Sequence, residues 1–143
     1  HPAWLAPEEW LGAATAADQL HLVTRQPPQR LHSQLYQTRA GRGEAREPVA
    51  VNPGDAAVRG IEAGAEVILE NARGRCVAAA VLDAGLRPGV VVMATGAWWQ
   101  PDSDDPFLDR GGNPNVLTED RATSGLTQAC AALSTLVTLR KAG

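Results

Sequence analysis

Apolar residues along this chain fall into six short runs, separated by stretches rich in glycine, proline, amides and charge. His21-Leu22-Val23-Thr24 is the first. It is entered from Asp18-Gln19-Leu20 and stopped at Arg25-Gln26-Pro27-Pro28, because two prolines cannot continue a hydrogen-bonded ladder. Residues 47–51 form the second run. Residues 65–70 and 76–82 form the third and fourth, and Asn71-Ala72-Arg73-Gly74 between them predicts a hairpin turn. Val90-Val91-Val92-Met93-Ala94 is unbroken and predicts a fully buried strand. Residues 133–140 alternate, with Leu136 and Thr138 to one side and Val137 and Leu139 to the other.

Helix signals are weaker. Pro7 followed by Glu8 and Glu9 predicts a short helix over 7–14, with acids near the positive end of the dipole and Trp10 and Leu11 packed on the domain. Residues 1–18 can equally be an arm on a neighbouring domain. Asn52-Pro53-Gly54-Asp55 is the clearest local signal: Asn52 as N-cap, Pro53 in the first helical position, Asp55 in the first turn, and Gly60 as the end. Leu31 and Leu35 are four apart, so a helical turn would bury both and project Arg30, Ser33 and Gln34 elsewhere. A further short helix is expected over 129–132.

Six strands, a few short helices and long excursions predict a mainly β fold, a closed or nearly closed β-barrel over 19–143, with a sandwich as the alternative. Long polar loops follow the first strand and the run at 90–94. Both would converge at one end of a barrel, where such folds carry their sites.

Composition narrows this picture. The 143 residues suit one domain, and with one Phe and one Tyr the core must be aliphatic, with four Trp as bulky exceptions. A net charge of −3 argues against general nucleic-acid binding. Five Arg and one acid lie in 25–46, and six acids and one Arg in 101–120. Each block reads as a solvated face, and the first also as an anion site, since Arg grips phosphate bidentately. Cys76 and Cys130 lack metal-site spacing and read as small buried side chains. No apolar run approaches membrane-spanning length, and no signal peptide is visible. The chain begins at His1 without a Met, as a piece of something longer would.

The stretch from Gly111-Gly112-Asn113-Pro114-Asn115-Val116-Leu117-Thr118 to Thr123-Ser124-Gly125-Leu126-Thr127-Gln128 is rich in amides, hydroxyls and glycines. Amides and hydroxyls offer both donors and acceptors, and glycine lets backbone approach a ligand. That suits a flat, polar, many-edged ligand. It does not suit acid–base catalysis, since nothing from Asn113 to Thr118 titrates near neutrality. A long polar loop explains the same composition. His32 is either a structural histidine or a ligand contact. Trp98 and Trp99 divide between packing on the barrel end and facing a partner. No catalytic set and no metal set stands out.

Several of these motifs occur together and in order: Leu22-Val23-Thr24, Arg30-Leu31-His32-Ser33-Gln34, Glu47-Pro48-Val49, Asn52-Pro53-Gly54-Asp55-Ala56-Ala57, Gly112-Asn113-Pro114-Asn115-Val116-Leu117-Thr118, then Thr123-Ser124 and Gln128. In these the chain resembles the C-terminal molybdopterin-dinucleotide-binding domain of the dimethyl sulfoxide reductase family. The likeness is greatest to its biotin sulfoxide, dimethyl sulfoxide and trimethylamine N-oxide reductase branch. It covers nearly the whole chain.

The resemblance implies a double-psi β-barrel lying over the cofactor of a four-domain enzyme that reduces S-oxides or N-oxides. It implies bis(molybdopterin guanine dinucleotide) with molybdenum in the full-length enzyme, and a metal ligand in an earlier domain. The implied partners are the molybdopterin cofactor and the preceding domains, with no nucleic acid and no membrane, in the bacterial cytoplasm or periplasm. Carried over position by position, the cofactor-binding residues are His32, Ser33 and Gln34 in the first loop, Asn115 in the second, and Gln128 after it. Thr24 and Arg25, closing the first strand, would meet a phosphate or ribose oxygen, and Ser124 adds a hydroxyl. Asn and Gln amides match the alternating edge of a pterin, much as they match adenine. One departure stands out: the family has glycine before its threonine–serine pair, and here it is Ala122. A positive φ there would cost about 1 kcal/mol.

Two other function classes stay in view. Asp83-Ala84-Gly85 faintly resembles the aspartic-protease triplet, which would require a homodimer to supply the second carboxylate. A plain protein-interaction barrel would use the same loops without any cofactor.

Overall fold

The computed structural model describes residues 1–13, 18–40, 46–126, 128–131 and 133–143, with 39 and 40 in backbone only. Its elements are β1 (Gln19–Arg25), α1 (Tyr36–Ala40), β2 (Pro48–Val51), α2 (Pro53–Ala57), β3 (Glu66–Glu70), β4 (Arg75–Leu82), β5 (Val90–Ala94), β6 (Leu108–Asp109), a single 3-10 turn (Pro114–Val116) and β7 (Thr135–Lys141).

The order β2-β5-β1-β7-β3-β4 returns to β2 through a β2–β4 pairing, so six strands close into a barrel, and β6 adds to β4 outside it. β1 with β5 and β2 with β4 run parallel, and the other barrel pairs run antiparallel. Parallel neighbours need crossover connections. Two of them, interleaved in one closed sheet, make this a double-psi β-barrel, as the resemblance implied, and exclude the sandwich. β6 is two residues long, too short for an alternation pattern to reveal.

Aliphatic side chains fill the interior: Leu20, Leu22, Val49, Val51, Val67 and Leu69 are at most 2% exposed. Burial alternates along the strands, β5 included, where Val90 and Val92 are only half-buried. The unbroken run at 90–94 is therefore a barrel-wall strand with one inward face, not a strand buried on both sides.

Register fixes which connections share an end. β1 and β5 finish together at Arg25 and Ala94. β2 and β7 begin there, because each is antiparallel to one of them, and β4 begins there because it is parallel to β2. The connections spanning 26–47 and 95–134 and the hairpin turn at 71–74 thus gather at one end. The segments 52–65 and 83–89 lie at the other. The expected convergence of the polar loops holds.

At that second end, Asn52 caps α2 through Gly54 N–H at 2.8 Å and donates to the Leu86 carbonyl at 2.7 Å. Asp55 accepts from Gly89 N–H at 2.7 Å. Asp83 accepts from Gly85 N–H at 2.9 Å, which explains the Asp83-Ala84-Gly85 triplet as a turn, far from the polar loops.

Four local expectations need correction. Residues 7–13 hold a turn closed by Ala13 N–H on the Trp10 carbonyl, not a helix, because Glu9 is drawn away to the barrel; Ala14 lies outside the described residues. Leu31 and Leu35 are 57% and 54% exposed, because positive φ at His32 (50°) and Leu35 (62°) prevents a helical turn. Cys130 is exposed, since 122 and 130 form an isolated antiparallel bridge where a helix over 129–132 was expected; residue 132 lies outside the described residues. The long polar loop expected after the first strand is interrupted by α1, and residues 41–45 lie outside the described residues.

Leu69 is fully buried and Leu126 is 99% exposed. Leu69→Ala should cost about 2–5 kcal/mol in urea unfolding, and Leu126→Ala should stay within about 0.5 kcal/mol.

Candidate functional site

Four chain segments meet at the loop end around Arg30. Its side chain is 3% exposed and pairs with Glu47, 2% exposed, at 2.9 Å. It also donates to the carbonyls of His32 at 3.2 Å and Thr95 at 3.0 Å, and its guanidinium lies 5.4 Å from the centre of the Tyr36 ring. Tyr36 stacks on Trp98 at 5.6 Å and donates to the Gly111 carbonyl at 3.1 Å. Trp98 closes the circuit by donating to the Ser33 carbonyl at 2.9 Å. The backbone beneath His32, Ser33 and Gln34 is therefore pinned from below.

The second loop is pinned by Asp109, which is wholly buried in β6. One of its carboxylate oxygens accepts from Gln100 N–H at 2.6 Å and the other from Asn113 N–H at 2.6 Å. Asn113 caps the 3-10 turn that carries Asn115, accepting from Asn115 N–H at 3.0 Å. Gly112 adopts φ 75°, and a Cβ there would stand 2.6 Å from Glu47 Cβ. A Cβ on Gly111 would collide with the Trp98 carbonyl. These glycines admit the protein's own atoms, the Trp98 carbonyl and the Glu47 side chain, not a ligand as their composition suggested.

Ser124 and Gln128 lie on a third segment, leading into β7 and held by the 122–130 bridge and by Thr123 N–H on the Ala129 carbonyl at 2.8 Å. Arg121, which precedes it, pairs with Glu8 and with Glu119. Among the described non-glycine residues only His32 and Leu35 have positive φ, so Ala122 carries no such strain and the anticipated cost does not arise. Thr24 and Arg25 finish β1 beside Met93 and Ala94.

The pinned loops leave a particular set of side chains free. No buried side-chain nitrogen or oxygen among the described residues lacks a hydrogen-bond partner. By contrast, the exposed side chains of His32, Ser33, Gln34, Asn115 and Gln128 make no hydrogen bond within the described residues. The arginines sort the same way. Arg30 is committed to Glu47 and Arg46 to Glu66 at 2.8 Å, which leaves Arg25 as the unpaired arginine among the described side chains of the 25–46 block. The anion-site reading of that block reduces accordingly. Cys76 is inert: burial, and then the nearby Asp109 charge, hold its thiol well above the usual range. A cavity of about 440 Å³ lies away from these residues. It lies beside the hairpin turn, lined by Glu70, Asn71, Arg73, Arg75 and Phe107 among others.

A family model described as the molydopterin dinucleotide binding domain matches residues 20–136. The chain belongs to that family. It is 48% identical over 96% of its length to a biotin sulfoxide reductase of Cereibacter sphaeroides. It is 40% identical over 99% of its length to a trimethylamine-N-oxide reductase of Haemophilus influenzae, and 40% over 90% to a dimethyl sulfoxide/trimethylamine N-oxide reductase of Cereibacter sphaeroides. It spans 16–18% of the length of these relatives. Acetylene hydratase from Pelobacter acetylenicus shares the fold, with a TM-score of 0.66 at 18% identity over 86% of this chain and 18% of the hydratase. The family is described as binding a molybdopterin dinucleotide.

Sequence reasoning found the exposed side chains and missed the groups that hold them. Glu47 is buried against Arg30, 17 residues away, and Asp109 was counted with a solvated acidic block. Its one local signal was that it directly precedes Arg110-Gly111-Gly112.

Removing one partner of a buried ion pair strands the other. Arg30→Met and Glu47→Gln should each destabilise by about 3–5 kcal/mol in urea unfolding, and the double variant should cost less than the sum of the two. A pH effect follows from Glu9. Bonding to Arg73 holds its carboxyl below the ordinary 4.5, against the opposing pull of partial burial and with help from Leu136 N–H. A lowered folded-state pKa means that this contribution is complete above pH 4.5 and is lost as pH falls through the folded value. Parent and Glu9→Gln should differ in stability at neutral pH and converge in acid.

Proposed function

We propose that the loop end contacts molybdopterin guanine dinucleotide, and that this chain is the cofactor-binding barrel of a longer molybdenum-dependent oxidoreductase that reduces S-oxides or N-oxides. The observation carrying this reading is the contrast between pinned backbone and unpaired polar side chains. His32, Ser33, Gln34, Asn115 and Gln128 offer amide, hydroxyl and imidazole groups with no partner in the described chain.

The donor set fits the group. The amides of Gln34, Asn115 and Gln128 each present a donor and an acceptor side by side, as the edge of a pterin or guanine requires. The Ser33 and Ser124 hydroxyls suit ribose or phosphate oxygens. Arg25, unpaired at the end of β1, suits a phosphate, with Thr24 beside it. The cofactor is proposed as bis(molybdopterin guanine dinucleotide) with molybdenum, which when bound supplies the oxygen-atom exchange. This chain's residues bind and orient that cofactor, and the metal's protein ligand lies elsewhere in the longer polypeptide. Leu31, Leu35, Trp98 and Trp99 are each about half exposed around the same end and would face the preceding domains. The barrel module is proposed as 19–143, with 1–18 as the arm leading to it.

An amide-resolved NMR titration of this chain with guanine nucleotides and a soluble pterin tests the reading. One wall of a shared site should bind at about millimolar, near −4 kcal/mol. Saturable shifts are expected at His32, Ser33, Gln34, Asn115 and Gln128, and Asn115→Ala should weaken binding by about fivefold, the worth of one hydrogen bond near 1 kcal/mol. Shifts confined to 25–46 would leave only an anion site.

A further inference from the structure

The hairpin turn between β3 and β4 does more than reverse the chain. Its Asn71 side-chain amide donates to the Leu117 carbonyl at 2.8 Å and to the Leu136 carbonyl at 3.1 Å. The same side chain's oxygen accepts from Arg73 N–H at 2.9 Å, which sets the turn. Arg73 Nε donates to the Leu117 carbonyl at 2.7 Å. Leu117 is the C-cap of the 3-10 turn that presents Asn115, and its side chain is wholly buried. A Cβ on Gly74 would stand 2.8 Å from the Val116 carbonyl, so hairpin and loop are in backbone contact.

The remaining edge of Arg73 is gripped by the segment that precedes the barrel. Its two terminal nitrogens fork onto Glu9, at 2.5 and 2.8 Å. Glu9 also accepts from Leu136 N–H at 2.7 Å, at the start of β7. Two separate parts of the chain therefore meet on one guanidinium, the N-terminal segment and the Asn115 turn, and the β7 entry is tied to them through Glu9 and Asn71. Neither Arg73 nor Glu9 is fully exposed, at 28% and 25%. A bidentate fork fixes the guanidinium plane, and that plane decides whether Nε points at the Leu117 carbonyl.

We propose that Arg73 is a positioning residue for Asn115, and that Glu9 sets Arg73, so that the segment before the barrel controls how the Asn115 loop is presented to the cofactor. The positioning rests on the contacts above, and its bearing on the cofactor rests on the role proposed for Asn115. Arg73 acts through the Leu117 carbonyl. Its guanidinium is occupied on both edges by protein groups.

The test uses the full-length protein, with Arg73→Lys, Glu9→Gln, Asn115→Ala and, as a control, Glu70→Gln. Lysine keeps the charge but cannot fork on Glu9 and reach Leu117 together. Glu70 pairs with Arg140 at the β3–β7 edge and makes no bond to Leu117. Two quantities are measured: amide hydrogen exchange over 113–118, and pterin retained per polypeptide after gel filtration. Arg73→Lys should speed exchange over 113–118 by about tenfold and Glu9→Gln by about threefold, as expected for losing charge-assisted hydrogen bonds, and both should lower pterin retention. Glu70→Gln should change neither. Unchanged exchange in Arg73→Lys overturns the positioning role, even where Asn115→Ala loses pterin. Faster exchange with full pterin retention, while Asn115→Ala does lose pterin, overturns the coupling. Full retention in Asn115→Ala itself sinks the cofactor role of that residue, and with it the proposal's functional half, while exchange still decides the structural half.

Discussion

The Arg30–Glu47 pair is the interaction on which the loop end depends. Taking both charges out of water is costly, and an ion pair so deeply placed is weak evidence of stability by itself. What it supplies is donors. The loops around it turn backbone carbonyls inward, and His32 and Thr95 would otherwise be left with poorly satisfied oxygens. A hydrophobic side chain of the same volume cannot answer them. A guanidinium offers five N–H groups in one plane, so a single buried residue can satisfy Glu47 and two carbonyls and still lie against the Tyr36 ring. Asp109 solves the converse problem in the second loop, where amide N–H groups point inward and need an acceptor.

This division explains what could be read from sequence. Strands depend on neighbours two residues away and turns on neighbours three or four away, so short apolar runs and the Asn52-Pro53-Gly54-Asp55 signal located all six barrel strands and α2, although the unbroken run at 90–94 misstated the burial of its strand. Alternation says nothing about which strand lies beside which. The double-psi order came from the resemblance, and the β2–β4 closure shows it. The loop end is built from pairs far apart in sequence: Arg30 with Glu47, Tyr36 with Gly111, Trp98 with Ser33. Local composition misreads such residues. Arg30 looked like an anion-binding arginine, Asp109 like a surface acid, and Gly111-Gly112 like a loop made for a ligand. Each is consumed by the protein itself. The amides of Gln34, Asn115 and Gln128 came from the resemblance, and the structure leaves them exposed and without a partner among the described residues.

The two ends of the barrel use similar side chains for opposite purposes. At one end Asn52 and Asp55 spend their polar atoms on Gly54, Leu86 and Gly89, and the loops they close are complete in themselves. At the other, Gln34, Asn115 and Gln128 spend theirs on nothing within the described chain, although the backbone under Gln34 and Asn115 is braced by buried charge. Bracing of that kind places the cost of ordering the loops in folding, so that it need not be met again on binding. Recognition groups on an open face enclose nothing until a second wall meets them, and the relatives of this chain are roughly five to six times its length. On the proposed reading, the barrel contributes a fixed polar surface and the rest of the polypeptide contributes the enclosure. The same logic applies to Asn115, whose turn is braced from below by Asp109 and from the side by Arg73, with the arginine in turn held by Glu9 of the N-terminal segment.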